Sequence, residues 1–142
     1  MIAHYNKDGF QDIYISNDKP DNLNILYKNN GDGTFDDVSE YSGAGIGINA
    51  MTTTIGDYNN DGFEDLIIVG NIYNTEVETP RLDNPYGLIL VSNKKDGYNV
   101  IGPKESGFYL KGNAKSVETI SLNDKNYIIV GVNDGDVEVY EY

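Results

Sequence analysis

Short apolar runs rich in Ile and Val alternate along the chain with polar turns rich in Gly, Asn and Asp. Runs of this length and composition are typical of β-strands, and helical periodicity is hard to find. An Asp-Gly pair lies downstream of the apolar runs at 25–27 and 88–91. Asp-Gly between two short runs indicates a β-hairpin, because Gly adopts the positive φ angle that hairpin turns require. The pattern therefore predicts an all-β fold.

One segment occurs twice, with a spacing of 53 residues. Residues 4–17 (HYNKDGFQDIYISN) match residues 57–71 (DYNNDGFEDLIIVGN), and a hairpin pattern follows each copy. In a third copy, residues 127–131 (YIIVG) echo residues 66–70 (LIIVG), but the preceding loop has shrunk to 122–126. Four short strands in a period of about 50 residues are typical of a β-propeller blade.

We therefore predict a partial β-propeller, a single domain over residues 1–142 with about two to three blades of four-stranded antiparallel sheet. Its repeat units span about 1–49, 50–112 and 113–142. The first unit is expected to lack its first strand and the third its fourth. Because closed propellers have about four to eight blades, we expect further blades of the same protein, or a protein partner, to complete the ring.

The charge balance excludes several classes of partner. Lys and Arg number 10 against 23 Asp and Glu, which gives a formal net charge of −13. Nucleic acid and anionic membrane surfaces repel such a chain. No apolar run approaches the ~20 residues that cross a bilayer, so we expect no membrane insertion.

The loop of the second copy carries oxygen donors at the spacing of a calcium loop. Positions 1, 3, 5, 7 and 9 are the side chains of Asp57, Asn59 and Asp61, the carbonyl of Phe63 and the side chain of Asp65. Gly62 permits the sharp turn at position 6. All of these donors are hard oxygens, which favour Ca²⁺ over zinc or copper. The sequence predicts a calcium site here, and the alternative is an ordinary Asn/Asp-rich turn.

An EF-hand or dockerin begins with similar spacing. Both require a ligand at position 12 and helices beside the loop. Position 12 is Ile68, within a run of strand-forming residues, so the spacing favours a loop between strands.

The loop of the first copy carries a reduced donor set: the side chains of Asn6, Asp8 and Asp12 and the carbonyl of Phe10. Position 1 is His4, and imidazole is a poor ligand for calcium. We predict a weaker site, with a solvated turn as the alternative.

These motifs, in this order, resemble the repeats of FG-GAP/VCBS β-propellers of secreted bacterial proteins. Residues 57–66 (DYNNDGFEDL) are similar to the repeat loop, and residues 29–39 (NNGDGTFDDVS) to the hairpin between loops. Residues 71–142 are similar to the C-terminal portion of such proteins. The resemblance implies export, an extracellular or cell-surface location, calcium, and roles in adhesion, glycan-related binding or assembly. The chain departs from the pattern at His4 and at the third loop.

A long connection, residues 71–87, separates the second strand pair from its hairpin. Long loops often carry function. Its candidate ligand-binding residues for a sugar or peptide are Tyr73, Arg81, Asp83 and Tyr86. The alternative is that the connection covers a blade edge and that Arg81 pairs with nearby acids.

The sequence shows no catalytic constellation. It has one His, no Cys, and neither a nucleophile-elbow nor a phosphate-loop motif. We expect a calcium-stabilised binding or interaction module for glycan or protein, and not an enzyme. The alternatives are a structural part of a larger secreted complex or polysaccharide-acting enzyme, and a hydrolase or lyase using acids such as Glu76 and Glu78.

Overall fold

The computed structural model describes residues 1–19, 21–72, 82–83 and 87–142, with residues 71–72 and 82–83 described by their backbone. Three antiparallel sheets follow one another along this part of the chain and pack face to face without closing into a ring. The prediction of an all-β, partial β-propeller fold is confirmed. We call the sheets the first, second and third blades.

The first blade has four strands in sequential order: β1 (Ile2–Ala3), β2 (Asp12–Ile15), β3 (Ile25–Asn29) and β4 (Phe35–Asp37). A single helical turn, α1 (Ser39–Ser42), follows it. The prediction that this repeat lacks its first strand is wrong, because Ile2 and Ala3 pair with Ile13 and Asp12. A strand of two residues is too short to leave a periodic pattern in the sequence.

The second blade has the strand order β10-β9-β6-β5. Its elements, in chain order, are β5 (Thr52–Gly56), β6 (Asp65–Val69), the small extra pair β7 (Asn71–Ile72) and β8 (Leu82–Asp83), then β9 (Leu88–Ser92) and β10 (Tyr98–Ile101). Strand β6 is buried along its whole length, because blades cover both of its faces. A second helical turn, α2 (Pro103–Ser106), leads to the third blade.

The third blade has three strands: β11 (Asn113–Leu122), β12 (Lys125–Asn133) and β13 (Glu138–Glu141). Asn123 and Asp124 join β11 to β12 with φ angles of 52° and 61°. Two positive φ angles at the centre of a two-residue turn are those of a type I′ hairpin. The acidic loop of the other repeats is therefore reduced to a tight turn, and the described residues of this blade form three strands.

Two hydrophobic cores hold the blades together, because successive residues of a strand point to opposite faces. The first core lies between the first and second blades and includes Tyr5, Tyr14, Leu26, Leu66, Ile68, Leu90 and Tyr98. The second lies between the second and third blades and includes Ile67, Val69, Ile89, Phe108, Val117, Ile128 and Val130. The second blade thus contributes to both cores.

Candidate metal centre

The two acidic loops occupy equivalent places in neighbouring blades and have the same backbone shape. Residues 57–64 connect β5 to β6 and residues 4–11 connect β1 to β2, and position 9 of each loop is the first residue of the next strand. Asn60 and Gly62 have φ angles of 55° and 84°, and the equivalent Lys7 and Gly9 have 55° and 92°. Glycine at the second place removes the steric cost of a left-handed φ in each loop. The repeat seen in the sequence is therefore a repeat of backbone conformation.

The aspartate at position 9 of each loop joins the loop to the next strand. Asp65 is fully buried, and its Oδ2 accepts a hydrogen bond from the Tyr58 N–H at 2.9 Å while its Oδ1 accepts one from the Ser92 N–H at 2.8 Å. Asp12 is also fully buried and accepts the N–H groups of Tyr5 and Asn29 at 3.2 and 3.0 Å. Each carboxylate thus ties the start of its loop to the third strand of its own blade.

Burial alters the ionisation of these two carboxyl groups. It raises the pKa of Asp12 and of Asp65, because a low-dielectric surrounding disfavours the charged form. The backbone N–H donors act in the opposite direction and stabilise the carboxylate form.

In the second loop, the side chains at positions 1, 3 and 5 fold back onto the loop backbone. The Asp61 N–H donates to both Asp57 Oδ1, at 2.8 Å, and Asn59 Oδ1, at 3.1 Å. Asp57 Oδ2 accepts the Gly62 N–H at 2.7 Å, and Asp61 Oδ1 accepts the Phe63 N–H at 2.9 Å. The structure therefore brings the side chains of Asp57, Asn59 and Asp61 to one small region of the loop.

Asp61 is also the point where the second loop meets a positive charge. Its Oδ2 lies 3.3 Å from Lys94 Nζ and accepts a hydrogen bond from Asn59 Nδ2 at 2.9 Å. The Phe63 N–H, the Asn59 amide and the Lys94 ammonium together lower the pKa of Asp61. This carboxylate therefore stays charged at neutral pH, as a metal ligand must.

The first loop differs at the position where sequence analysis found His4. The His4 Nδ1–H donates to the carbonyl oxygen of Phe10 at 3.1 Å, because a carbonyl can only accept. Asp8 accepts from the Asn6 amide at 2.8 Å and from the Phe10 N–H at 2.9 Å. The imidazole thus already uses the carbonyl that would serve as the position-7 ligand.

The two loops also contact each other, which the sequence did not predict. Lys7 Nζ lies 4.1 Å from the centre of the Phe63 ring, and the backbone N–H of His4 donates a hydrogen bond to Glu64 Oε2 at 2.7 Å. Lys7 and Glu64 lie inside the repeated segments, but their pairing depends on how the blades stack. Lys94 was missed for the same reason, since it belongs to the β9–β10 turn.

The donor chemistry of the second loop fits a hard cation. Its accessible donors are carboxylate, amide and carbonyl oxygens, which are the groups that calcium binds. Among the described residues, no three acidic or imidazole side chains converge into a ready-made metal cluster. The loop therefore offers a mixed ligand set, and the predicted calcium sites stay predictions.

Three of the predicted ligand-binding residues, Tyr73, Arg81 and Tyr86, lie outside the described residues. Asp83 belongs to β8, where the backbone alone is described. Their role stays a prediction. Neither helix in the described part of the chain is long or apolar enough to cross a membrane.

The stacked four-stranded blades, with an acidic loop between the first two strands of a blade, define a partial β-propeller built from loop-bearing repeats. Residues 4–68 match the family model of the FG-GAP-like repeat. The match includes both acidic loops, runs from the first blade into β6, and supports an FG-GAP-like repeat family. The predicted resemblance is thereby confirmed over these residues. No curated protein matches the chain in a sequence search.

Proposed function

We propose that the chain is a calcium-stabilised, extracellular interaction module of a propeller protein, exported to a bacterial cell surface, and that it has no catalytic activity of its own. The FG-GAP-like repeat over residues 4–68 supports an interaction role. Calcium, glycan or protein binding, and the location are the proposed parts.

The metal proposal rests on one observation: Asp57 and Asn59 direct their Oδ1 atoms to the same N–H, that of Asp61. Two oxygen donors that share one hydrogen are already close together, so little chain ordering remains to be done on binding. The residues that would hold calcium in this loop are Asp57, Asn59, Asp61, Phe63 through its carbonyl, and Asp65. The bound ion would neutralise the loop and fix β5 relative to β6.

A calcium titration of the melting temperature tests this proposal. For the unaltered protein we expect the melting temperature to rise with calcium, since a ligand that prefers the native state stabilises it by RT ln(1 + [L]/Kd). Asp61→Ala should remove most of that rise and change the melting temperature little in chelator. Asp21→Ala, which removes an exposed acid outside the loops, is the matched control and should keep the full rise. An Asp61→Ala variant that is destabilised equally with calcium and with chelator would contradict the proposal.

The first loop would hold calcium more weakly, through Asn6, Asp8, Asp12 and the Phe10 carbonyl. The His4 imidazole competes for that carbonyl. Isothermal titration calorimetry should therefore give one stronger and one weaker site. Asp8→Ala should abolish only the weaker one.

The proposed glycan or protein ligand would contact the connection that carries Tyr73, Arg81, Asp83 and Tyr86. Arg81 is the one cation of this set, and an arginine can hold a carboxylate through two parallel hydrogen bonds. A glycan array and a pull-down should give binding that Arg81→Ala weakens and that Lys95→Ala leaves unchanged. Binding that survives Arg81→Ala at full strength would exclude this connection as the contact surface.

A further inference from the structure

The two acidic loops contact each other beside the first hydrophobic core. Tyr5 of the first loop and Tyr98 of the second blade are both buried in that core, with ring centres 6.4 Å apart. Close packing in a core holds side chains in one arrangement. The position of one loop relative to the other is therefore fixed by the fold, and the contact between the loops is a lasting feature of the folded chain.

The first part of this contact is a hydrogen bond from position 1 of the first loop. The backbone N–H of His4 donates to Glu64 Oε2 at 2.7 Å, and both residues are half-buried. Glu64 is position 8 of the second loop, between the candidate ligands Phe63 and Asp65. A hydrogen bond to a carboxylate is roughly twice as strong as one between neutral groups. The start of the first loop is thus attached to the end of the second.

The second part is a cation–π contact from position 4 of the first loop. Lys7 Nζ lies 4.1 Å from the centre of the Phe63 ring, and a Cβ atom at Gly62 would lie 3.6 Å from the same nitrogen. The ring quadrupole attracts an ammonium group placed this close. Lys7 lies between Asn6 and Asp8 in the chain. Each partner in this contact is therefore a candidate ligand or the direct neighbour of one.

We propose that the two calcium sites are coupled, so that filling the second loop raises the affinity of the first loop for calcium. The second loop has three candidate carboxylates against two in the first, so it fills first. With calcium bound there, Phe63 and Glu64 are fixed, and Lys7 and His4 are held through them. The first loop then loses less conformational freedom when it binds its own ion. This inference rests on the proposed calcium binding and adds its regulation.

Two physical effects determine the sign of the coupling. Repulsion between two bound ions lowers the second affinity, but salt screens charges over about 10 Å at 0.1 M. The contacts of Glu64 and Lys7 with the neighbouring loop are direct, and salt screens partly buried pairs much less. We therefore expect positive coupling at physiological salt. By linkage, filling the first loop raises the affinity of the second by the same factor.

A calcium titration followed by NMR tests the coupling, with one reporter in each loop. The Gly9 and Gly62 amides hold position 6 of the first and the second loop, so their chemical shifts report which loop is filled. In the unaltered chain at physiological salt, both signals should move with calcium, and Gly62 should move first. Asp61→Ala empties the second loop and should weaken the first-loop affinity, read from Gly9, at least about fivefold, the low end for coupled sites.

Removing the contact separates coupling from the charge that Asp61→Ala deletes. In a chain with Glu64→Ala and Lys7→Met, the same Asp61→Ala change should cost the first loop several-fold less affinity. The charge effect is common to both chains, whereas the contact is present in one only. Glu64→Gln removes the charge but keeps an acceptor for the His4 N–H, so this variant should retain the coupling. Glu40→Ala, which removes an exposed acid of α1, is the control and should leave the coupling unchanged.

Several results would overturn the inference. Equal effects of Asp61→Ala with and without the contact would show that the loops bind independently, and a first loop that binds more tightly when the second is empty would show negative coupling. Movement of Gly62 alone would mean that the first loop takes no ion, which leaves the stronger site standing. If neither signal moves, the proposed calcium binding itself fails. If the double variant loses its folded circular dichroism spectrum, Lys7→Met and Glu64→Ala are tested singly, and each should reduce the coupling.

Discussion

At the scale of single residues, two aspartates of the second loop, Asp65 and Asp61, have different structural roles. Asp65 is fully buried and binds two backbone N–H groups from different segments of the second blade. The Asp61 side chain is 10% exposed and, among the described residues, bonds within its own loop and to Lys94. The sequence spacing does not distinguish these roles, because it predicts both residues as acidic ligands of one calcium loop.

The difference predicts unequal losses of stability in chelator. Asp65→Ala leaves the Tyr58 and Ser92 N–H groups without their acceptor and should lower the free energy of unfolding by about 2–4 kcal/mol. Asp61→Ala should have a much smaller effect under the same conditions. Urea denaturation at pH 7 measures both, and equal losses would contradict the division.

The two aspartates should also make the free energy of unfolding depend on pH in different ways. Burial raises the folded-state pKa of Asp65 above its ordinary value of 3.8. Protonation of Asp65 therefore favours the folded state at low pH, and this contribution to stability is lost as the pH rises through the folded-state pKa. The Phe63 N–H lowers the pKa of Asp61, so its contribution is present above pH 3.8 and is lost as the pH falls through the folded pKa. In chelator, the stability difference between the unaltered chain and Asp61→Ala should therefore shrink from pH 7 toward pH 3.

Lys94 provides a second prediction at this scale. Its ammonium lies 3.3 Å from Asp61 Oδ2, so it would compete with calcium for this carboxylate. Lys94→Gln should therefore tighten calcium binding up to several-fold, since it removes a competing ion pair that is worth ~0.2–1 kcal/mol when one partner is well exposed, as Lys94 is. Calorimetry with Lys95→Gln as the neighbouring control measures it. Unchanged or weaker affinity in Lys94→Gln would show that this lysine does not compete with the ion.

At the scale of elements, the second blade was predicted best, because its signals are local. The Ile/Val run after the acidic loop indicates β6, and the Asp-Gly hairpin indicates β9 and β10. The helical turns α1 and α2 were missed, since four residues are too few to show a period of 3.6. Their local signals are Gly43 and Gly107, which end the turns with φ angles of 73° and 70°, and Pro103, which begins α2.

The third repeat shows what a sequence match cannot specify. Matching YIIVG to LIIVG pairs Ile128 with Ile67, which faces the third blade. In the structure Ile128 faces the second blade, so its equivalent is Leu66 or Ile68, which face the first. A shift of one residue moves a whole strand's side chains to the other face. The match identified the strand correctly, but tertiary packing decided its face.

The contact between the second and third blades predicts a sharp glycine effect. A Cβ atom at Gly56 would lie 2.7 Å from the Tyr142 hydroxyl oxygen and 3.0 Å from Thr119 Cγ2. Gly56→Ala should therefore push these blades apart and cost about 1–3 kcal/mol of stability. Gly102→Ala is the control, because a Cβ there has no neighbour within 4 Å. Similar urea midpoints for the two variants would mean that the blades can separate at no cost.

At the scale of the whole molecule, the charge and the stacking of blades work against each other. A formal net charge of −13 favours solubility and repels a second copy. The two hydrophobic cores between the blades favour the folded stack. Because salt screens charge over about 10 Å at 0.1 M and leaves apolar contact in place, the free energy of unfolding in chelator should rise as salt is raised from low concentration, which urea denaturation measures.

The contact between the acidic loops has a mechanical consequence. Phe63 takes part in both loops, since its carbonyl is a candidate ligand of the second loop and its ring contacts Lys7 of the first loop. An ion that fixed Phe63 would also hold the joint between two blades. A surface molecule built this way would resist stretching while calcium is plentiful and would yield to the same force when calcium is scarce.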